Sequence, residues 1–284
     1  KILNAKVAMV RSKNQVKIYD SEKVKWVAIE EIKAVWFYRD LMVQLVKRDI
    51  VARYKRSTLG VLWTMLNPLA TMIILTIVFS RFFNMRSVYP AYIITGLITW
   101  SFFSQTILFS LNTTLRGSDL YNKIYLPQTA FVISVLGGGI LNYLLSIIPM
   151  ALIFLVTKVP IHPTVLLFPV GLLLLATFTL GLGLLLSTGV VFFPDIAEFA
   201  PVILQAWFYI TPIIYPAELQ LDIMGGLFLK INPMYYFIKI IRNLLYDGVI
   251  PSGLDWLIGF AIAILMLVIG WWVFTSKSKR FGYQ

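Results

Sequence analysis

Hydrophobic residues in this chain are grouped into long runs separated by short polar segments. After a first segment rich in lysine and arginine, no charged side chain occurs between Ser57 and Ser80. An apolar run of about 20 residues is long enough to cross the hydrocarbon core of a bilayer as a helix. The pattern predicts six such runs, at about 61–81, 91–114, 128–156, 164–193, 197–215 and 254–275. We therefore expect an all-α polytopic membrane protein with six transmembrane helices in residues 57–284.

The segment before these runs predicts a helix of a different kind. Within residues 28–56, apolar side chains such as Leu41 and Leu45 recur at helical spacing among charged ones. A basic amphipathic helix that carries aromatic residues fits the cytoplasmic surface of a membrane. The alternative is an ordinary helix packed on protein. Residues 1–27 form a separate N-terminal extension, whose partial polar and apolar alternation indicates a hairpin.

A second segment, residues 216–250, is too polar to span a membrane. Apolar residues recur there at helical spacing from Ile231 to Leu245. Because proline breaks or starts a helix, we expect two short helices broken around Asn232 and Pro233. These helices either dip into the membrane as re-entrant outer gate helices or lie on its outer surface.

Basic residues are distributed unevenly around the six runs. With six spans both termini share one side, and that side carries 19 of the 25 lysine and arginine residues. Because cytoplasmic loops of membrane proteins are enriched in positive charge, we expect both termini in the cytoplasm. The net charge of +12 then records orientation in the membrane, and no nucleic-acid partner is expected.

Composition excludes several classes of protein. The chain is 59% hydrophobic and 13% charged, whereas soluble domains average about 45–50% apolar and about 25% charged residues. Soluble enzymes, disordered chains and collagen-like chains are therefore excluded. With no cysteine and a single histidine, His162, we predict no metal site and no thiol nucleophile.

The runs also lack the residues that drive transport from within a chain. No aspartate or glutamate lies at the centre of any predicted span, and no G-x-x-x-x-G-K-[ST] loop for nucleotide phosphates occurs. Ion-coupled transporters commonly place ionisable residues in the bilayer. Transport through this chain would therefore draw its energy from another subunit.

An enzyme is the alternative class. Four carboxylates on the predicted outer side could serve a membrane glycosyltransferase acting on lipid-linked sugars. Their spacing forms no metal or acid–base motif, which favours ordinary solvated loop charges. The four are Glu218, Asp222, Asp247 and Asp255.

A specific motif leads into the first apolar run. It consists of a basic pair followed by Asp, Arg-Tyr, Ser, Leu-Gly, Trp and Pro. In this spacing the chain resembles the membrane subunit of bacterial ABC-2 type polysaccharide exporters, the permeases for O-antigen, capsule and teichoic acid. The matching residues are Lys47, Arg48, Asp49, Arg53, Tyr54, Ser57, Leu59, Gly60, Trp63 and Pro68.

Two further regions carry the same resemblance. One is residues 114–128; the other begins at the end of the fifth run. At the turn between the fourth and fifth runs the chain departs from the family, with Pro194 before Asp195 where arginine is common. The matching residues of the second region are Pro212, Tyr215, Asn232, Pro233, Arg242 and Gly248.

The resemblance implies a homodimer in the bacterial inner membrane, paired with two copies of a cytoplasmic ABC ATPase that binds ATP and Mg²⁺. This chain itself would hold no cofactor and would not be an enzyme. The implied cargo is a polysaccharide attached to undecaprenyl diphosphate, with O-antigen favoured. An ABC-2 exporter of small molecules stays open, because only the family motifs favour a polymer.

Two candidate sites lie on the predicted cytoplasmic side. Basic residues just before the first span could meet a lipid diphosphate, or simply anchor the chain by the positive-inside rule. The polar segment 116–127 is suited to docking the ATPase, or is a plain loop. The candidate lipid-diphosphate residues are Arg48, Arg53, Lys55 and Arg56, and the candidate coupling residues are Arg116, Asp119, Tyr121 and Lys123.

Two further candidate sets lie in the spans and on the predicted outer side. Aromatic faces could line a polysaccharide channel, with core or lipid packing as the alternative. The outer helices would form a gate. The candidate channel residues are Phe79, Phe83, Trp100, Trp207, Tyr209 and Tyr215, and the gate residues are Asn232, Pro233, Tyr235 and Arg242.

Overall fold

A computed structural model describes residues 31, 33, 35–54, 59–60, 62–82, 88–116, 128–217 and 226–277. Every regular element in this part of the chain is helical, as the hydrophobic pattern predicts. The helices are α1 (Arg39–Tyr54), α2 (Leu62–Phe79), α3 (Tyr89–Arg116), α4 (Thr129–Thr157), α5 (Phe168–Phe192), α6 (Ile196–Ile210), α7 (Leu227–Ile231), α8 (Pro233–Arg242) and α9 (Gly253–Lys277). A 3₁₀ turn, Pro163–Leu167, precedes α5, and a π-helical turn, Asn243–Asp247, follows α8.

Five of these helices, α2, α3, α4, α5 and α9, are long and apolar enough to cross a membrane. The fifth predicted run, 197–215, forms a shorter helix than expected, because α6 ends at Ile210 after 15 residues. At a rise of 1.5 Å per residue this helix is about 22 Å long, less than a hydrocarbon core of about 30 Å. The chain leaves the helix there because Thr211 is extended and Pro212 has no N–H to continue it.

Helix α3 lies at the centre of the bundle and contacts α2, α4, α5, α6 and α8. Most of its apolar side chains are buried, including Ile93, Phe103 and Ile107. Helices α2 and α6, by contrast, bury few residues: Pro68 and Met72 on α2, and Ala200 and Leu204 on α6. Among the described residues of α2 to α9, these two helices are therefore the ones that this single chain leaves most open to other molecules.

Helices α5 and α9 pack against each other at close range because two glycines face each other there. A Cβ added at Gly181 would lie 2.5 Å from the backbone of Met266 and Leu267, and one at Gly270 would overlap the carbonyl of Gly181. Small residues allow helix backbones to approach closely in membranes. This contact fixes the last helix against the bundle.

Helix α1 is held on the first turns of α4. Leu45 and Phe131 form a small apolar cluster with Tyr38 and Leu41 at its edge. The hydroxyl of Thr129, the first residue of α4, donates to Oε1 of Glu31 at 3.0 Å. Burial raises the pKa of the Glu31 carboxyl, although the side-chain and backbone hydrogen bonds from Thr129 pull it down.

Other side chains of this amphipathic segment are exposed. Trp36 and Phe37, in the helical stretch before α1, are 72% and 76% exposed, and Arg39 lies 5.5 Å from the centre of the Trp36 ring. Exposed aromatic and basic side chains on one helix suit an interfacial position. The predicted hairpin in residues 1–27 lies outside the described residues.

Candidate functional site

Asn232 joins α8 to the end of α6. It lies between α7 and α8, where Pro233 starts α8 at the position that proline prefers. Its Oδ1 accepts hydrogen bonds from the Met234 backbone N–H, at 3.0 Å, and from the Trp207 indole N–H, at 2.8 Å. Its Nδ2 donates to the Thr211 hydroxyl at 2.9 Å. One side chain therefore caps α8 and ties it to α6.

Arg242, the last residue of α8, binds the same end of α6. Its guanidinium is buried and donates to the carbonyl of Pro212 at 3.0 Å and to that of Ile213 at 3.4 Å. Carbonyl groups after a helix end lack helical partners, and the planar arginine fork can reach two of them. Both ends of α8 are thus bonded to residues 207–213.

The first turn of α3 holds the next two residues of the chain. The hydroxyl of Tyr89 donates to the carbonyl of Ile214 at 2.7 Å, and that of Tyr92 donates to the carbonyl of Tyr215 at 3.0 Å. Tyr92 also accepts a hydrogen bond of 2.8 Å from Arg242. We name residues 211–215 the exit loop. This loop is clamped between α3 and α8.

Beyond Arg242 the chain forms the π-helical turn and ends it at Gly248, which has φ 66°. A Cβ at Gly248 would overlap the ring of His162, so only glycine fits both the backbone conformation and the space. The hydroxyl of Thr164 donates to the carbonyl of Leu244 at 2.8 Å. His162 is therefore a packing residue beside the turn that follows α8.

An ion pair fastens the other side of α8. Nζ of Lys239 lies 2.8 Å from Oδ1 of Asp255, at the start of α9, and Ser252 donates to Oδ2 at 2.7 Å. Nζ of Lys239 also lies 5.9 Å from the centre of the Tyr235 ring. Of the four predicted gate residues, Tyr235 lies beside the lysine that joins α8 to α9.

Uncharged polar side chains form a stripe at membrane depth. Ser101, Gln105 and Asn112 are spaced at four and seven residues along α3, which places them on one helix face. Gln105 and Asn112 are exposed, as are Asn67 on α2 and Gln205 on α6. An unpaired amide in hydrocarbon is costly. These exposed amides on α2, α3 and α6, together with Ser101, are named the polar face here, and they need a polar or protein surface against them rather than lipid.

The predicted channel aromatics divide between core and surface. Trp100 is buried and packs edge-on against Phe103 and Trp207, with ring centroids 5.3 Å and 6.1 Å away. Tyr209 is 58% exposed on α6. The hydroxyl of Tyr215 donates to the Tyr209 carbonyl at 2.9 Å. Phe79 is partly buried near the end of α2, and Phe83 lies outside the described residues.

Most of the predicted cytoplasmic residues lie outside the described part of the chain. Arg48 is exposed on α1. Arg53 and Arg116 belong to α1 and α3, but their side chains lie outside the described residues. Lys55, Arg56, Asp119, Tyr121 and Lys123 lie outside them entirely.

Several residues of the clamp and of the polar face were not predicted as site residues. Tyr89 and Tyr92 have no local signal, because their partners are more than 120 positions away. An amide side chain inside an apolar run, by contrast, can be recognised from the local sequence. Asn67, Gln105 and Gln205 could have been found in this way.

Comparison with known proteins places these features in a family. Residues 40–246 match the family described as ABC-2 type transporter. The O-antigen export system permease protein RfbA of Myxococcus xanthus is 30% identical over 258 residues, which cover 89% of this chain and 98% of that protein.

Two further relatives are more distant. A protein of the same name from Klebsiella pneumoniae is 27% identical over 247 residues, 86% of this chain and 94% of that protein. The polysialic acid transport protein KpsM of Escherichia coli is 23% identical over 229 residues, 78% of this chain and 88% of that protein. The family match covers most of the chain, clamp and polar face included, and the chain therefore belongs to the ABC-2 type transporter family.

Proposed function

We propose that this chain is the membrane subunit of an ATP-driven exporter that moves an undecaprenyl-diphosphate-linked polysaccharide, O-antigen in the first instance, across the inner membrane. The uncharged polar face on α2, α3 and α6 is the observation that carries the proposal. It offers hydrogen bonds at membrane depth without the charges of an ion pathway. The relatives named above, which export O-antigen or transport polysialic acid, support the same cargo.

Family membership sets the coarse frame. The chain is a multi-pass protein of the bacterial inner membrane with at least five spanning helices. ABC-2 transporters work with an ATPase, so a partner subunit supplies the energy. The relatives are permeases rather than enzymes.

The proposal also covers the placement of α6, α7 and α8 in the membrane. Helix α6 and the exit loop together cross the membrane as the sixth passage, with α7 and α8 re-entering from the outer side. Both termini then lie in the cytoplasm, in keeping with the 19 basic residues on that side.

A homodimer explains the two most open helices. Large apolar side chains such as Ile73 and Ile77 on α2 and Val202 on α6 are exposed, and exposed amides lie on the same helices. A second copy placed against α2 and α6 would cover the apolar side chains. The amides of the two copies would then face one polar passage between the subunits.

Motion of the partner ATPases would reach this passage from the cytoplasmic side. Two bound ATPase copies would act on residues 116–127 and on α1, which is fixed to α4 by Leu45 and Phe131. Arg48 and the other basic residues before α2 would meet the lipid diphosphate. At the outer side, α6 and α8 would open together, because Asn232 and Arg242 bond both ends of α8 to residues 207–213.

The enzyme alternative gains no support from the described carboxylates. Asp255 is committed to Lys239 and Ser252, and Asp247 lies in the π-helical turn. Glu218 and Asp222 lie outside the described residues. No cluster of three possible metal-ligating side chains occurs within the part of the chain that the structure covers.

Polymer export in cells lacking the partner ATPase tests the proposal. We expect polymer to accumulate inside the cell and to return to the surface when the ATPase is restored. Undiminished export without the ATPase would contradict the proposal. Sugar transfer by the purified chain alone, lost when Asp247 and Asp255 are changed to asparagine, would favour the enzyme instead.

A further inference from the structure

A cavity of about 430 Å³ lies between α2, α3 and α4. It lies apart from the outer clamp and contains none of the eighteen candidate site residues predicted from the sequence, although the motif positions Trp63 and Pro68 form part of its wall. It shares Asn67, Ser101 and Gln105 with the polar face. Ligand sites usually measure about 300–1,000 Å³, so the space is large enough for a small molecule or for part of a larger one.

The wall of this cavity is polar but uncharged. Amides from all three helices line it, namely Asn67, Gln105 and Asn142, together with hydroxyls such as that of Ser101. None of the described side chains that line it is charged. The cavity therefore offers both donors and acceptors of hydrogen bonds, with no charge to neutralise an ion.

Thr106 provides a buried polar atom without a partner. The residue is 3% exposed and lines the cavity, and its Oγ1 has no hydrogen-bond partner. The next hydroxyls along α3 behave differently: Ser110 and Thr114 each donate to the carbonyl four residues before, at 2.8 Å and 2.9 Å. Buried hydroxyls are normally bonded. The Thr106 hydroxyl thus leaves hydrogen-bonding capacity unused in the wall of the cavity.

Aromatic rings complete the wall. Trp63, Phe102 and Phe109 line the same space, and the Tyr143 hydroxyl lies 3.0 Å from that of Thr99. Apolar ring faces beside convergent amides suit a molecule whose faces are C–H-rich and whose edges carry hydroxyl groups. Sugar rings have this character.

We propose that this cavity binds uncharged sugar rings of the transported polymer, as a holding site within each subunit. The proposal rests on the proposed function and adds a site to it. Trp63 and Asn67 lie in the first two turns of α2, so the site would open in the inner half of the membrane, just after the basic residues that precede α2.

Other occupants fit the wall less well. An acyl chain would leave three amides and the Thr106 hydroxyl unpaired in an apolar surrounding. A diphosphate would bring charge into a cavity where nothing neutralises it. Sugar hydroxyls can pair with the amides and also fill the space between the rings.

Cysteine labelling can test this site, because the chain has no cysteine and therefore contributes no background labelling of its own. Ser101→Cys on α3 and Thr64→Cys on α2 both place a thiol in the cavity wall and leave the three amides in place. Ile74→Cys, on the exposed side of α2 and outside the cavity, is the matched control. Inverted vesicles with the partner ATPase and no ATP are treated with a small neutral methanethiosulfonate.

Three vesicle preparations are compared: without substrate, with undecaprenyl diphosphate, and with the lipid-linked polymer from the producing strain. Of the three preparations, we expect slower labelling of the two cavity thiols only in the one with the lipid-linked polymer. The rate should fall about tenfold, which corresponds to nine-tenths occupancy of the cavity. The Ile74→Cys rate should not change. Equal protection by undecaprenyl diphosphate would overturn the proposal in favour of a lipid site.

Two further outcomes would also overturn it. Cavity thiols that do not react at all would show that the cavity is closed to water, and thiols that react equally in all preparations would show that it holds water alone. ATP-driven export is measured in the same vesicles. Export without protection counts against the cavity site only, whereas no export from the unsubstituted protein counts against the proposed function.

Discussion

The guanidinium of Arg242 donates a hydrogen bond of 2.8 Å to the hydroxyl of Tyr92, which lies 150 residues earlier in the chain. This bond joins the first turn of α3 to the end of α8, and the same guanidinium donates to the carbonyls of Pro212 and Ile213. All three acceptors are neutral oxygens. One buried cation therefore joins three segments at this end of the bundle, namely α3, the exit loop and α8, to which Arg242 itself belongs.

Arg242→Lys should loosen this clamp. A lysine ammonium carries the charge but cannot reproduce the planar fork, so it loses at least one bond of the kind that contributes about 1.5–3 kcal/mol. We expect a lower melting temperature in detergent and a measurable ion conductance in planar bilayers. Lys230→Met, at an exposed position on α7, is the control and should change neither. A closed, fully stable Arg242→Lys protein would show that the clamp does not hold the gate.

Asn232→Ala and Trp207→Phe should act on one shared interaction. The first change removes the cap of α8, which costs about 1 kcal/mol, together with the bond to Trp207. The second keeps an aromatic ring but removes its N–H. In a double-mutant cycle on thermal unfolding we expect a coupling energy of about 1 kcal/mol. Trp272→Phe, at an exposed position on α9, is the matched control; additive effects at 207 and 232 would refute the link.

Gly181→Ala should strongly destabilise the bundle. The new methyl group would lie 2.5 Å from the backbone of α9, and backbone cannot move aside as a side chain can. We expect a loss of at least about 3 kcal/mol, as for severe overpacking. Gly138→Ala on α4 meets nothing within 4 Å and should be neutral or stabilising by up to about 1 kcal/mol. Equal effects of the two changes would contradict the close packing of α5 on α9.

Glu31→Gln should stabilise the contact between the helical segment around α1 and the start of α4 in a pH-dependent way. Because burial raises the pKa of Glu31, the folded state binds its proton more tightly than the unfolded state does. Stability contributed by the protonated form is present below the unfolded pKa and is lost as pH rises through the raised pKa.

Glutamine mimics the neutral form at every pH. The melting temperature of Glu31→Gln should therefore exceed that of the unsubstituted protein at pH 7.5, and the two should converge near pH 4. Asp40→Asn, on the exposed side of α1, should not show this trend. A difference that stays constant with pH would argue against a buried carboxylate at position 31.

The positions of the long helices could be predicted from the sequence because charge and hydropathy mark them directly. The ends of α2, α4 and α9 lie within two residues of the predicted runs. The length of α6 was overestimated, because the chain stays largely apolar through residues 211–215 although the helix ends before Thr211 and Pro212. Hydropathy measures transfer into a membrane and does not report where helical hydrogen bonding stops.

The candidate site was predictable only in part. Asn232 and Arg242 stand out in a polar segment, but their partners are set by tertiary packing across the bundle. Trp100 and Trp207 were predicted as channel aromatics, and the structure places them against each other inside one subunit. Local pattern identifies an aromatic residue in a span but cannot tell a core-facing ring from one that faces a passage.

Export by the purified components tests the central claim most directly. Inverted proteoliposomes containing this chain, its partner ATPase and the lipid-linked polymer are given ATP, and polymer protected inside the vesicles from an external glycan-degrading enzyme is measured. The account predicts protected polymer only when ATP and both subunits are present. Protected polymer without ATP or without this chain, or none with every component present, would contradict it.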